Sequence, residues 1–161
     1  MPNGPRIVIE GVCYHLTTRG NQRQRVFCDE EDFKKYLSAI KRVKRSCTFR
    51  LYGYCLMPNH VHLVGEPEQP RDLAKFMQRI NRSYTAYFNG KYKKVGHLWQ
   101  GRFKSKVIIK DRYLLDCINY IELNPMRAAM AKAPQEYCWS SYKERNLGVD
   151  KERQMLDNLN L

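Results

Sequence analysis

The sequence predicts an α+β sandwich: an antiparallel sheet covered by helices, with elements in the order β-α-β-β-α-β-α. Three observations lead there. Segments rich in β-formers are separated by segments whose apolar residues recur at helical spacing. A Pro58-Asn59 turn joins two of the β segments directly. Chain breakers such as Gly20, Gly90 and Pro125 fall between elements rather than inside them.

Residues 12–18 alternate weakly and read as the first strand, ended by Arg19-Gly20-Asn21. Asp29 then caps a helix with acidic residues at 30–32 and Lys41, Arg42, Lys44 and Arg45 at its far end, as the helix dipole favours. Its stripe is Phe33, Tyr36, Leu37, Ile40 and Val43. Residues 48–57 and 60–65 form a hairpin about Pro58-Asn59. Residues 71–89 form a second amphipathic helix, with Leu73, Phe76, Met77, Ile80, Tyr84, Tyr87 and Phe88 inward, stopped by Gly90. A basic loop leads to a strand at 104–109. Asp111 caps a third helix, through Leu115, Ile118 and Tyr120 to Asn124, which Pro125 ends or kinks. This order is the split βαβ arrangement of a ferredoxin-like sandwich.

The chain has 161 residues, and its 29 Lys+Arg against 16 Asp+Glu give a net charge of +13. That length suits one domain able to bury roughly two-thirds of its unfolded surface without disulfide or metal support. No uncharged stretch is long and apolar enough to span a membrane, and residues 1–11 lack the apolar core of a secretory signal, so the expected location is cytoplasmic. The six cysteines stand singly, which favours reduced small hydrophobes over bridges. The charge calls for a polyanion. Between positions 91 and 110 there are seven basic residues, no acidic one, and Tyr92, Trp99 and Phe103 interleaved. Cations beside flat rings suit a single nucleic-acid strand, whose bases stack while its phosphates are neutralised.

His60-Val61-His62 puts two imidazoles on one face of a strand, a residue apart, where they can share a cation or simply hydrogen-bond at a sheet surface. Tyr120 and Asn124 stand one helical turn apart. They can supply a phenol and an amide ligand to the same ion, or serve as a core residue and a helix terminator. Glu122 faces away from Tyr120 and is given no role as a base.

The blocks 57–64 (MPNHVHLV), 98–105 (LWQGRFKS) and 120–128 (YIELNPMRA) resemble the HUH single-tyrosine transposases, and the REP-associated tyrosine transposases among them. The opening YHLTTRGN at 14–21 is similar to that branch too, and the matches run in order from about residue 12 to about residue 142. The resemblance implies an HUH nuclease-type fold, with residues 1–132 as the catalytic domain and 133–161 as a C-terminal extension of it. It implies that His60 and His62 are metal ligands, that Asn124 is the third, and that Tyr120 is the nucleophile. The implied substrate is single-stranded DNA beside REP-like hairpins, and relatives include both monomers and homodimers.

The chemistry is coherent. Imidazole and amide ligands leave a Mg²⁺ or Mn²⁺ ion its full charge for phosphate, while a phenol, with an ordinary pKa of about 10, needs nearby cations to become a good nucleophile. Attack by Tyr120 gives a 5′-phosphotyrosine and a free 3′-OH, and the retained ester allows rejoining. Expected DNA contacts are Arg19, Arg23 and Arg25 after the first strand, Arg79 and Arg82 on the second helix, Lys94, Trp99, Arg102, Lys104 and Lys106 in the basic region, and Arg127 past the third helix. Trp99 and Phe103 can equally plug the sandwich edge, and Arg127 can pair locally. The contrasting reading is a non-catalytic, domesticated binder of single-stranded DNA or RNA. A more remote one is a zinc adaptor using the histidines with Cys47 or Cys55.

Overall fold

The computed structural model describes residues 4–109 and 112–159. Four strands, β1 (Cys13–Arg19), β2 (Phe49–Met57), β3 (His60–Pro67) and β4 (Lys104–Ile108), form one sheet in the order β2-β3-β1-β4. Every neighbouring pair is antiparallel. Among the described residues five α-helices accompany them: α1 (Glu30–Lys44), α2 (Pro70–Tyr92), α3 (Arg112–Glu122), and the short α4 (Asn124–Arg127) and α5 (Tyr142–Leu147). The ferredoxin-like sandwich expected from the sequence is the fold observed, with β1 drawn between β3 and β4.

Strand alternation gives the sheet two different faces. Tyr14, Leu16, Val61 and Leu63 point one way, into the core beneath α1 and α2. Cys13, Met57, Val64 and Ile108 point the other way and pack on Leu114, Ile118 and Ile121 of α3. Asp29 caps α1 as expected, accepting from the Asp32 N–H at 3.0 Å. A bulge lies at Tyr52, since Leu51 pairs with Gly65 but Gly53 with Val64. Gly65 permits the close approach there: a Cβ would lie 2.3 Å from the Arg50 carbonyl oxygen.

Several boundaries differ from expectation. α2 runs through Gly90 and ends where Lys93 turns left-handed at φ 54°. The reason is tertiary: Tyr87, Lys91 and Tyr92 all bond the buried carboxylate of Asp32, which outweighs glycine's cost of about 1 kcal/mol in a helix. Lys91 is consumed there, 2.6 Å from Asp29 and 2.9 Å from Asp32, and leaves the basic run. The inward stripe of α3 is Leu114, Ile118 and Ile121, whereas Leu115 and Tyr120 are exposed. Its continuity breaks at Leu123, just before Pro125, and the chain resumes as α4. Lys110 and the Asp111 cap lie outside the described residues.

The segment after α4 folds back onto the sheet. Trp139 stacks on Phe33 with ring centroids 4.7 Å apart, and its carbonyl accepts from the Leu56 N–H. Met155 and Leu156 are buried in the larger core.

Candidate active site

The uncovered part of the α3 face holds the candidate chemistry. His60 and His62 follow alternate positions of β3 and so share this face with Arg19 and Thr17, their partners on β1. Their ring centroids are 4.9 Å apart. His60 Nδ1 meets Asn59 Oδ1 at 2.6 Å. His62 is engaged on both sides: its Nδ1 is 2.8 Å from His15 Nε2, and its Nε2 is 3.0 Å from the Asn124 side-chain nitrogen. Burial, with Arg19 adding to it, pushes the His60 pKa down to about 4. Burial also takes His62 down to about 3, helped by the neighbouring His60, His15, Arg127 and Arg19. His15 is lowered too, first by burial and then by Lys106. All three rings are therefore neutral near pH 7, as lone-pair donors must be.

The α3–α4 junction supplies the remaining residues. Asn124 lies against His62, while Tyr120, a turn earlier, stays 55% exposed. Tyr120 and His62 line one cleft of about 430 Å³. Its walls also carry Arg19, Arg102, Lys104 and Lys106, and no carboxylate. Arg127 folds back so that its guanidinium carbon sits 3.9 Å above the Tyr120 ring, and it donates to the Tyr120 carbonyl.

A divalent ion fits this donor set. The two imidazoles are neighbours at the rim of the sheet, the Asn124 amide lies against His62 and would present its oxygen on turning over, and the lowered histidine pKa values remove competition from protons. The cysteine alternative does not assemble: Cys47 is buried on the other face of the sheet, and Cys55, opposite His62 on the β2–β3 ladder, is fully buried in the core under α3. Among the described residues, no three His, Cys, Asp or Glu side chains are placed to hold a metal.

The other expected DNA contacts divide. Arg19, Arg102, Lys104 and Lys106 reach the cleft. Arg23 and Arg25 are exposed in the β1–α1 loop, whose backbone is held by the Pro58 and Asn59 carbonyls at the hairpin turn. Arg79 and Arg82 lie on α2, over the opposite face, and Arg79 donates to Ser46 Oγ at 3.0 Å. Lys94, exposed past the end of α2, sits 5.7 Å from the Phe88 ring, away from the cleft. Trp99 packs edge-on to Tyr36 at 6.0 Å and donates to the Asn81 carbonyl, so it plugs the sandwich edge. Phe103 is covered by Arg6, 3.5 Å above its ring. Three cleft residues had no assigned role from sequence: His15, Thr17 and Gln100. Alternation back from Arg19 puts the first two on one face of β1, but only the register of β1 on β3 shows that His15 meets His62.

Glu122 is buried and faces away from Tyr120, as its position on the helix implied. It accepts from Ser141 Oγ at 2.5 Å and from Arg145 Nε at 3.1 Å, tying the end of α3 to the C-terminal segment.

The split βαβ sheet thus carries a histidine pair at its rim, and His62 of that pair shares a basic cleft with the exposed Tyr120. The model of the transposase IS200-like family matches residues 8–124, and the chain belongs to that family of enzymes. It is 25% identical over 153 residues to a Haemophilus influenzae protein named a REP-associated tyrosine transposase, covering 88% of this chain and 86% of the relative. The REP-associated tyrosine transposase of Escherichia coli K12 is 23% identical over 139 residues, covering 85% and 80%. A solved REP-associated tyrosine transposase bound to a REP hairpin shares the fold with a TM-score of 0.76 at 21% identity, covering all of this chain and 95% of that one. None of the described helices is long and apolar enough to cross a membrane.

Proposed function

We propose that this transposase nicks and rejoins single-stranded DNA beside REP-like hairpins, using Tyr120 as nucleophile and a Mg²⁺ or Mn²⁺ ion held by His60, His62 and Asn124. The observation that carries the reading is the shared cleft. The exposed phenol and the doubly anchored His62 open onto one space whose walls hold four cations. A fold-stabilising tyrosine has no reason to stand in solvent beside neutral imidazoles.

In the proposed reaction Tyr120 Oη attacks the scissile phosphorus. The new Tyr–O–P bond forms as the bond to the 3′ oxygen breaks, and that oxygen leaves as a 3′-OH with the proton balance met by solvent. A Mg²⁺ or Mn²⁺ ion held by His60, His62 and Asn124 would neutralise charge developing on the phosphate. Arg19, Arg102, Lys104 and Lys106 draw the strand in and hold its flanking phosphates. Arg127 steadies the phenol. Because the phosphodiester energy is kept in the tyrosyl ester, attack by a 3′-OH reverses the step and joins strands. Such an enzyme works on DNA in the cytoplasm.

The test uses labelled single strands carrying a hairpin with its flanks, incubated with Mn²⁺ or Mg²⁺ and resolved under denaturing conditions. The full-length protein should form a metal-dependent covalent adduct, and Tyr120→Phe should form none while still binding the strand. An adduct that persists in Tyr120→Phe overturns the assignment.

A further inference from the structure

We infer that His15 is a positioning residue for His62: it accepts the ring's Nδ1–H and so holds the tautomer in which Nε2, the nitrogen beside Asn124, carries the lone pair. The inference deepens the proposed metal site and takes only the ligand role of His62 from it.

Three side chains from separate elements form a directed line. An amide nitrogen can only donate, so Asn124 Nδ2, 3.0 Å from His62 Nε2, makes that nitrogen the acceptor. A neutral imidazole carries one N–H, which then sits on His62 Nδ1. That N–H points at His15 Nε2, 2.8 Å away, so His15 accepts there and bears its own hydrogen on Nδ1. The Asn124 amide can turn over and present Oδ1 to a ring N–H instead, so its donation alone does not hold this arrangement; the acceptor at His15 does.

The sheet builds this contact. His15 pairs across the ladder with Val64, and His62 with Thr17, so the two histidines are diagonal neighbours on the same face. Their rings lie 5.1 Å apart at 29°, close to stacked, which restricts rotation of His62 about its side-chain bonds. His15 itself stands on β1, flanked by strands on both sides, so its backbone has little freedom. No other contact of His15 competes for Nε2 among the described residues.

The experiment is read on metal-free, full-length protein by long-range proton–nitrogen spectra of the histidine rings. Wild type should show His62 with hydrogen on Nδ1. His15→Leu, which cannot accept, should shift His62 toward the Nε2–H form or a mixture, and His15→Gln, whose side-chain oxygen can accept, should restore the Nδ1–H form. His15→Thr, too short to reach, serves as the second disabling variant if His15→Leu does not fold. The same variants titrated with Mn²⁺ should show affinity falling roughly 10- to 100-fold in His15→Leu and recovering in His15→Gln. A His62 ring that keeps its hydrogen on Nδ1 without an acceptor at position 15 overturns the inference. Failure of the metal reading registers separately, as unchanged Mn²⁺ binding in His62→Ala, while the ring spectra still decide the role of His15.

Discussion

Arg127 shows how much one side chain can organise. It lies seven positions after Tyr120, two turns on and so on the same side, and its guanidinium folds back over the ring. Held at both the ring and the backbone carbonyl, Tyr120 loses rotational freedom before any strand arrives. A guanidinium–aromatic contact is worth about 1 kcal/mol, so Arg127→Ala should slow single-turnover adduct formation about fivefold. Arg127→Lys should recover only part of this, because an ammonium cannot lie flat on the ring. A quench-flow time course of adduct formation measures both. The histidine pair and the Tyr120–Asn124 spacing were legible because each is contained within a few consecutive residues. His15 was not, since its partner comes from a strand 47 positions away and only the register of β1 on β3 joins them.

Between elements, a cluster of hydrogen bonds and ion pairs ties the start of α1 to the end of α2. Burial works against the charge on Asp32, yet hydrogen bonds from Tyr92, the Cys28 N–H, Lys91 and Tyr87 hold its pKa below the ordinary 3.8. The folded protein therefore binds this proton more weakly than the unfolded chain does. The resulting stability is complete above the unfolded value and is lost as the pH falls through the lower, folded one. Asp32→Asn should cost about 2 kcal/mol at pH 7, the lower part of the range for a buried pair because Lys91 reaches solvent. At pH 3 the difference between the two proteins should narrow. Urea melts at the two pH values decide it. This clasp also explains an error of sequence reading. Periodicity revealed the existence and inward face of α2, but its end depends on Asp32, nearly sixty residues earlier. The hairpin, by contrast, was readable because Pro58-Asn59 encodes its own turn. The Glu122–Ser141–Arg145 contact was invisible for the same reason as the α2 terminus: its partners meet only after folding.

At the scale of the molecule, the net charge of +13 overstates what is available to DNA. Lys91 is paired internally, Arg79 is bonded to Ser46, and both lie away from the cleft. Four cations remain on the cleft wall. With a slope of about −0.7 per neutralised phosphate on a single strand, log affinity should fall against log salt with a slope of about −3. Fluorescence anisotropy of a labelled strand across a salt series gives the slope directly, and Lys104→Ala with Lys106→Ala should make it shallower by about 1.4. Composition made a polyanion partner readable, but not which cations meet it. That depends on two faces of one sheet, one closed by α1 and α2, the other only partly covered by α3.

Lys104 and Lys106 stand on β4, the border strand of the sheet, with β1 as its one hydrogen-bonded neighbour. Both histidines of the pair sit on β3, in the interior, braced by the buried Val61, Leu63 and Val64. On the proposed function, grip and reactivity are thus anchored in places with very different tolerance for change. Side chains along the border can be exchanged at small cost to folding, so randomising that border should alter which strand is held while leaving the histidine pair in place.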